Sequence, residues 1–166
     1  MTIAPPPDPF AVFGVEHTLD LDARTLERRY LELSRGCHPD LHRAADTDDC
    51  LAVLQRSAEI NDAWRVLRDP WERARALLEL RSPGVLDREK KLDPAFLAQA
   101  LELAEEVAFV DAAQAPALRA RLEHELAADL RAVRDALAAA DVGLAARRFH
   151  AAKYHRKALL DLDSKT

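Results

Sequence analysis

The side chains best suited to chemistry gather around residue 40. His38, Pro39 and Asp40 run consecutively, His42 follows, and Arg24, Arg28, Arg29 and Arg35 precede them. A histidine changes charge near neutral pH, a carboxylate accepts hydrogen bonds or pairs with an arginine, and a proline narrows the backbone around it. Three uses fit such a set. The plainest is a turn beside a solvated basic face, built of residues that turns commonly contain. The second is a docking loop, in which a stiff polar turn and a cationic strip are offered to an acidic partner. The third is a metal-dependent helical hydrolase around His38, Asp40 and His42, which lacks a second ligand cluster and an obvious nucleophile.

The elements that must hold these residues are helices. Of 166 residues, 32 are Ala and 26 are Leu, against two Ile, nine Val, five Thr and four Gly. Ala and Leu head the helix-propensity order, and too few β-branched residues remain for a sizeable sheet, so the chain is expected to be all-α. Asp8-Pro9 supplies an N-cap and a proline at the first helical position for a short helix over 10–15. Asp22 caps a second, in which Leu26, Tyr30, Leu33 and Cys37 recur at helical spacing, and which stops near Gly36 because Pro39 disfavours helix before it. Asp46 or Thr47 caps a third, with Leu51, Leu54, Ala58, Asn61, Trp64 and Leu67 on one face. Asp69-Pro70 ends it and starts a fourth, from Pro70 to about Leu80. The His38-Pro39-Asp40 run therefore joins two helices predicted to be antiparallel, and Arg24, Arg28 and Arg35 lie on the second helix away from Leu26, Tyr30 and Leu33.

Ser82-Pro83-Gly84 and the charged run Asp87–Lys91 break the pattern. They divide the chain into an N-terminal domain (8–81), a linker (82–92) and a C-terminal domain (93–163). Residues 1–80 hold ten Arg, no Lys and fifteen acids, while 81–166 hold fourteen charges of each sign. Three longer helical patterns follow, over 93–110, 116–140 and 143–162, and their short connections predict an antiparallel three-helix bundle. The net charge of −5 argues against nucleic acid as the main partner. Charged residues interrupt every apolar stretch before the roughly 18 residues of a membrane span. Cys37 and Cys50 have no partner at C-x-x-C spacing, so neither a disulfide framework, a metal site nor a cofactor is expected, and the chain reads as cytoplasmic.

The placement of His38-Pro39-Asp40 after an arginine-bearing helix resembles a J-domain, the module by which co-chaperones engage DnaK-type ATPases. The resemblance extends further. Ser57-Ala58-Glu59-Ile60-Asn61-Asp62-Ala63-Trp64, then Leu67-Arg68-Asp69-Pro70, Arg73-Ala74 and Leu77-Leu78 are similar to the HscB family of iron-sulfur assembly co-chaperones. Asp8-Pro9-Phe10 and the run from Asp93 to Glu102 fit as well. Most of these letters have structural reasons: Trp64 and Leu67 close on Leu26, Tyr30 and Leu33, and Asn61 is expected to bridge to backbone. The resemblance implies that His38, Pro39, Asp40 and the basic face of the preceding helix dock on an HscA-like DnaK-type chaperone. It also implies that the chain is not itself an enzyme. Cys37 stands where the family has an aromatic.

The helix over 93–110 carries more apolar surface than a bundle helix needs. Phe96, Ala100, Leu103, Val107 and Val110 form one core stripe. Leu97, Leu101, Ala104 and Ala108 form a second, flanked by Glu102, Glu105 and Glu106 with no basic residue in the helix, as a partner site would be. Leu97 and Leu101 widening the buried face is the competing reading. The resemblance implies that this patch, Leu97, Leu101, Glu102 and Glu105 with Tyr154 of the last helix, holds an IscU-like iron-sulfur scaffold protein. A J-domain adaptor for another client is the alternative. In the last helix Arg147, Arg148, Lys153, Arg156 and Lys157 form a basic strip expected to pair with the acidic helix over 93–110.

Overall fold

The structure, a computed structural model, describes residues 7–37 and 47–165, with backbone alone for residues 47–49. His38, Pro39, Asp40 and His42 lie outside the described residues. The fold is all-α, with no strand among the described residues. The chain forms two compact units, residues 1–80 and 81–166.

The first unit contains α1 (Pro9–Phe13), α2 (Ala23–Gly36), α3 (Thr47–Arg68) and α4 (Pro70–Arg81). Side-chain caps set the starts of three of them, each satisfying an amide that no helical carbonyl can reach. Asp8 Oδ1 accepts from the Phe10 amide at 2.9 Å, Asp22 Oδ2 from Thr25 at 2.8 Å, and Asp69 Oδ1 from Trp71 at 2.8 Å. Gly14 ends α1 in the left-handed region (φ 63°), where a Cβ would be strained.

Phe10, Phe13, Leu26, Ile60, Ala63 and Leu67 are buried. Trp64 stacks on Tyr30 with ring centroids 4.8 Å apart, and the Tyr30 hydroxyl donates to Asn61 Oδ1 at 3.0 Å. Asn61 therefore receives a side chain from α2 instead of bridging to backbone. Leu51 and Leu54, expected in the core, are exposed. The physical reason is length. At 1.5 Å per residue the 22 residues of α3 run about 33 Å and the 14 of α2 about 21 Å, so the first turns of α3 project past what packs on its second half.

Arginine side chains hold carbonyls at the C-terminal ends of α1 and α3. Arg29 Nε donates to Phe13 O at 2.9 Å and Arg56 Nη2 to Val12 O at 3.4 Å, both at the C-terminus of α1. Arg73, only 6% exposed, donates from Nε to Leu67 O and from Nη1 to Leu19 O, each at 2.8 Å. Burial lowers its pKa, and the charges of Asp69 and Asp20 oppose that shift.

The second unit contains α5 (Val85–Arg88), α6 (Pro94–Phe109), α7 (Ala115–Ala138) and α8 (Val142–Asp163). Within the 82–92 stretch, drawn as a linker from sequence, α5 forms one helical turn that buries Val85 and packs on α8. The His150 imidazole donates to Leu86 O at 2.7 Å, and Arg147 pairs with Glu89 at 2.6 Å. The punctuation at Pro83-Gly84 turns the chain, and Val85 then has an apolar surface to meet.

Helices α7 and α8 form a tight hairpin in which Ala145, Ala146 and Ala152 are fully buried, small residues that allow close approach. Asp93 caps α6 through the Ala95 amide at 2.8 Å, and Asp141 caps α8 through Leu144 at 2.8 Å. Val107, Ala115, Leu118, Leu122, Ala158 and Leu162 form a core cluster joining α6, α7 and α8. Lys165 Nζ donates to Val107 O at 2.7 Å and Ala108 O at 2.6 Å, closing the C-terminus of α6. No helix of the described residues is long and apolar enough to cross a membrane.

Because Arg73 donates to a buried carbonyl at Leu67 and a part-buried one at Leu19, Arg73→Met, which keeps the stem and removes the fork, is expected to cost about 2–4 kcal/mol of stability. Urea unfolding measures this, and a loss below about 1 kcal/mol would mean that the carbonyls find other partners.

Candidate functional site

Two surfaces carry the residues singled out from sequence, one in each unit. On α2, Arg24, Arg28 and Arg35 are exposed, while Leu26 is buried on the opposite side. Leu31, 47% exposed, falls on the same stripe, so the strip is Arg24, Arg28, Leu31, Arg35 at i, i+4, i+7 and i+11. Sequence reasoning passed over Leu31, although its spacing between two arginines was visible. Arg29 departs from the strip. Its Nε holds the Phe13 carbonyl and its Nη1 lies 3.2 Å from Glu32, so this guanidinium ties α2 to α1. The strip ends two residues before Cys37, beyond which the described residues of this stretch stop, resuming at residue 47.

On α6 the two apolar stripes separate. Val107 is buried and Phe96, Ala100, Leu103 and Val110 are half-buried, whereas Leu97 is 44% and Leu101 63% exposed, with Ala104 and Ala108 exposed beside them. The second stripe does not widen the core. Tyr154 of α8 meets Phe96 edge to face, with ring centroids 5.4 Å apart and planes at 78°. Leu97, Ala100, Leu101, Ala104, Tyr154 and Ala158 line a groove of about 300 Å³, bounded by the Lys157–Asp161 pair. Glu102 lies on the opposite flank of α6, in a groove of about 310 Å³ that also takes in Phe96, Tyr154 and His155. Glu105 is exposed and lines neither. The structure thus brings Leu97, Leu101 and Tyr154 together, sets Glu102 across from them, and leaves Glu105 outward.

In the basic strip of α8, Arg147 and Lys157 find acids outside α6. Arg147 reaches Glu89, Lys157 pairs with Asp161 on its own helix, and Glu106 of α6 crosses to Arg121 of α7. The exposed acids Glu102 and Glu105 make no ion pair with a described residue.

Beside Tyr154 is a polar cluster that sequence reasoning missed. His155 Nδ1 lies 2.6 Å from Asp129 Oδ2, and its Nε2 lies 3.4 Å from Glu125 Oε2. The hydrogen bond to Asp129, with the charges of Asp129 and Glu125, raises the His155 pKa against the opposing effects of burial and of Arg121. The i, i+4 spacing of Glu125 and Asp129 was its one visible signal. Among the described residues no group of three His, Cys, Asp or Glu side chains is arranged to hold a metal ion.

No family model matches the chain. It is 37% identical over 109 residues to a co-chaperone protein HscB homolog of Haemophilus influenzae, a match spanning 64% of this chain and 63% of that protein. It is 36% identical over 125 residues to the HscB homolog of Pseudoalteromonas atlantica, spanning 74% of this chain and 71% of that one. The chain belongs to the HscB family of iron-sulfur assembly co-chaperones. Among solved structures, chaperone HscB from Vibrio cholerae is similar over 96% of this chain and 97% of its own, with a TM-score of 0.80 at 27% identity. The human co-chaperone HscB shares the fold, with a TM-score of 0.84 at 23% identity over 98% of this chain and 84% of its own.

In this HscB-family chain the raised His155 pKa makes stability pH-dependent in a fixed direction. The contribution is fully present below the unfolded histidine value of about 6.5 and is lost as pH rises through the folded value. His155→Gln is therefore expected to lower the urea midpoint more at pH 5.5 than at pH 9. An equal loss at both would show that the imidazolium does not clamp α7 to α8.

Proposed function

We propose that residues 8–81 act as a J-domain on an HscA-like DnaK-type chaperone, and that residues 93–163 hold an IscU-like iron-sulfur scaffold protein, with 82–92 between the two binding regions. In this reading His38, Pro39 and Asp40 form the contact loop, and Arg24, Arg28 and Arg35 steer an acidic chaperone surface toward it. Arg29 contributes by fixing α2 on α1. The chain carries out no bond-making itself, needs no cofactor or metal, and works in the cytoplasm without nucleic acid or membrane. J-domain binding raises ATP turnover by favouring the chaperone conformation competent for hydrolysis, which requires tighter binding to that state than to the other.

One observation carries the scaffold half: Leu97 and Leu101 stay exposed on a helix whose other stripe already serves the core, and Tyr154 of α8 shares their groove. Burying what remains exposed of the two leucines is worth about 2 kcal/mol in all, against about 8 kcal/mol for a micromolar complex, which suits delivery and release.

Two experiments separate the halves. His38→Gln is expected to abolish stimulation of the chaperone's steady-state ATPase while leaving helicity and scaffold affinity intact; unchanged stimulation refutes the loop's role. Leu97→Ala with Leu101→Ala is expected to weaken scaffold binding by about 30-fold without unfolding the bundle. Calorimetry returning the wild-type affinity would remove this surface from the account.

A further inference from the structure

His155 of α8 stands between two carboxylates of α7. Its Nδ1 lies 2.6 Å from Asp129 Oδ2 and its Nε2 3.4 Å from Glu125 Oε2. A carboxylate only accepts hydrogen bonds, so holding both acids takes a proton on each ring nitrogen, and that ring is the imidazolium. A neutral ring holds one. The shorter contact keeps the Nδ1 proton on the Asp129 side, and Nε2 then points a lone pair at the Glu125 carboxylate, which is repelled. Arg121, four residues before Glu125 and 3.8 Å from its Oε1, is already engaged by Glu106 of α6. The open direction is the groove of about 310 Å³ that Glu125 and His155 line together with Phe96, Glu102 and Tyr154.

The charged and titratable groups that face this imidazole are Arg121, Glu125 and Asp129 from α7, Glu102 and Glu106 from α6, and Tyr154 on its own helix. The acids outnumber Arg121, so the groove attracts a cationic side chain and repels an anion. We infer that Glu125 is a further contact for the scaffold partner, receiving a lysine or arginine side chain, and that His155 gates it by holding the carboxylate when charged and releasing it when neutral. The inference rests on reading residues 93–163 as the scaffold-binding region, and it adds a contact from α7 to those proposed on α6 and α8. The hydrogen bond to Asp129 and the surrounding acids raise the His155 pKa, so the exchange between the two states falls above the ordinary histidine value of about 6.5. A cation seated at Glu125 favours the neutral ring. Scaffold binding therefore tightens as pH rises through that exchange, and the complex binds fewer protons at His155 than the free chain.

Calorimetry of the full chain with purified iron-sulfur scaffold, at pH 5.5 and pH 9 and fixed salt, tests this with Glu125→Gln and His155→Gln beside the leucine double variant. Affinities are compared with wild type at the same pH, which removes the scaffold's own titration from the ratio. One charge in a water-exposed groove is worth about threefold. Glu125→Gln is expected to bind about threefold more weakly than wild type at pH 9 and equally at pH 5.5. His155→Gln, which leaves Glu125 free at both values, is expected to bind about threefold more tightly at pH 5.5 and equally at pH 9. Circular dichroism at both pH values checks that the variants are folded, and a residue that only supports the hairpin gives no gain in affinity when replaced. Wild-type affinity for Glu125→Gln at pH 9, with loss in the leucine variant, overturns the contact and leaves the proposed function standing. Ratios for both variants that do not change with pH overturn the gate. A wild-type chain that fails to bind the scaffold at either pH overturns both the inference and the reading it rests on.

Discussion

Helix α6 rests chiefly on α8, and a helix lying along one neighbour buries one stripe of roughly 100°. The sequence of α6 provides two stripes. Phe96, Ala100, Leu103 and Val107 take the inner position, so Leu97, Leu101 and the small residues between their turns remain outside. The α7–α8 hairpin enforces this. Ala145, Ala146, Ala152, Phe149, Val133 and Leu122 of the hairpin are themselves buried, and Val107 of the inner stripe packs in one cluster with Leu118, Leu122, Ala158 and Leu162. The placement of Tyr154 depends on the same contact, because the ring sits edge-on to Phe96 and faces the groove on either side of α6.

The first unit meets a different constraint. Short helices leave a large share of their carbonyls without helical partners, and α1 has only five residues. Arg29, Arg56 and Arg73 reach back to the carbonyls of Phe13, Val12, Leu67 and Leu19. A planar guanidinium suits this work, since two donors leave it in fixed directions and it holds its charge when buried. Three of the ten arginines among residues 1–80 are used in this way. The three arginines left outward on α2 are then a surface feature, with Leu31 set among them.

Helix limits were legible in the sequence because caps and prolines act locally. Asp8, Asp22, Asp69, Asp93 and Asp141 each accept the amide that their position suggests. The inner stripe of α6 was legible as the core stripe, but whether Leu97 and Leu101 widened the buried face depends on α8, and periodicity within one helix does not contain that. The same limit explains Leu51 and Leu54: their spacing is right for a core, yet α3 outruns the elements that pack on it. Arg29 was grouped with the other arginines of the helix, and its contact to a carbonyl sixteen residues earlier is one that helical spacing does not contain. The α5 turn was hidden by Pro83-Gly84 and the charges after it, which mark a break equally well whether or not Val85 finds a surface. His155 gave no signal of its own, since its partners lie 26 and 30 residues away on another helix.

The two surfaces are built alike and charged oppositely. Each is an exposed helical row with leucine at its centre, bordered by arginine on α2 and by glutamate on α6. Leucine alone discriminates weakly, because any apolar partner gains from burying it; a bordering charge adds a penalty for the wrong partner as well as an attraction for the right one. Under the proposed function, which gives the chain two macromolecular partners, such a penalty at both sites keeps the two from being confused. Opposite signs supply it, since a surface complementary to one row is repelled by the other. Rim charges act mainly on encounter rate and salt dependence, so under the proposed function the leucines would set how long each complex lasts and the borders which complex forms.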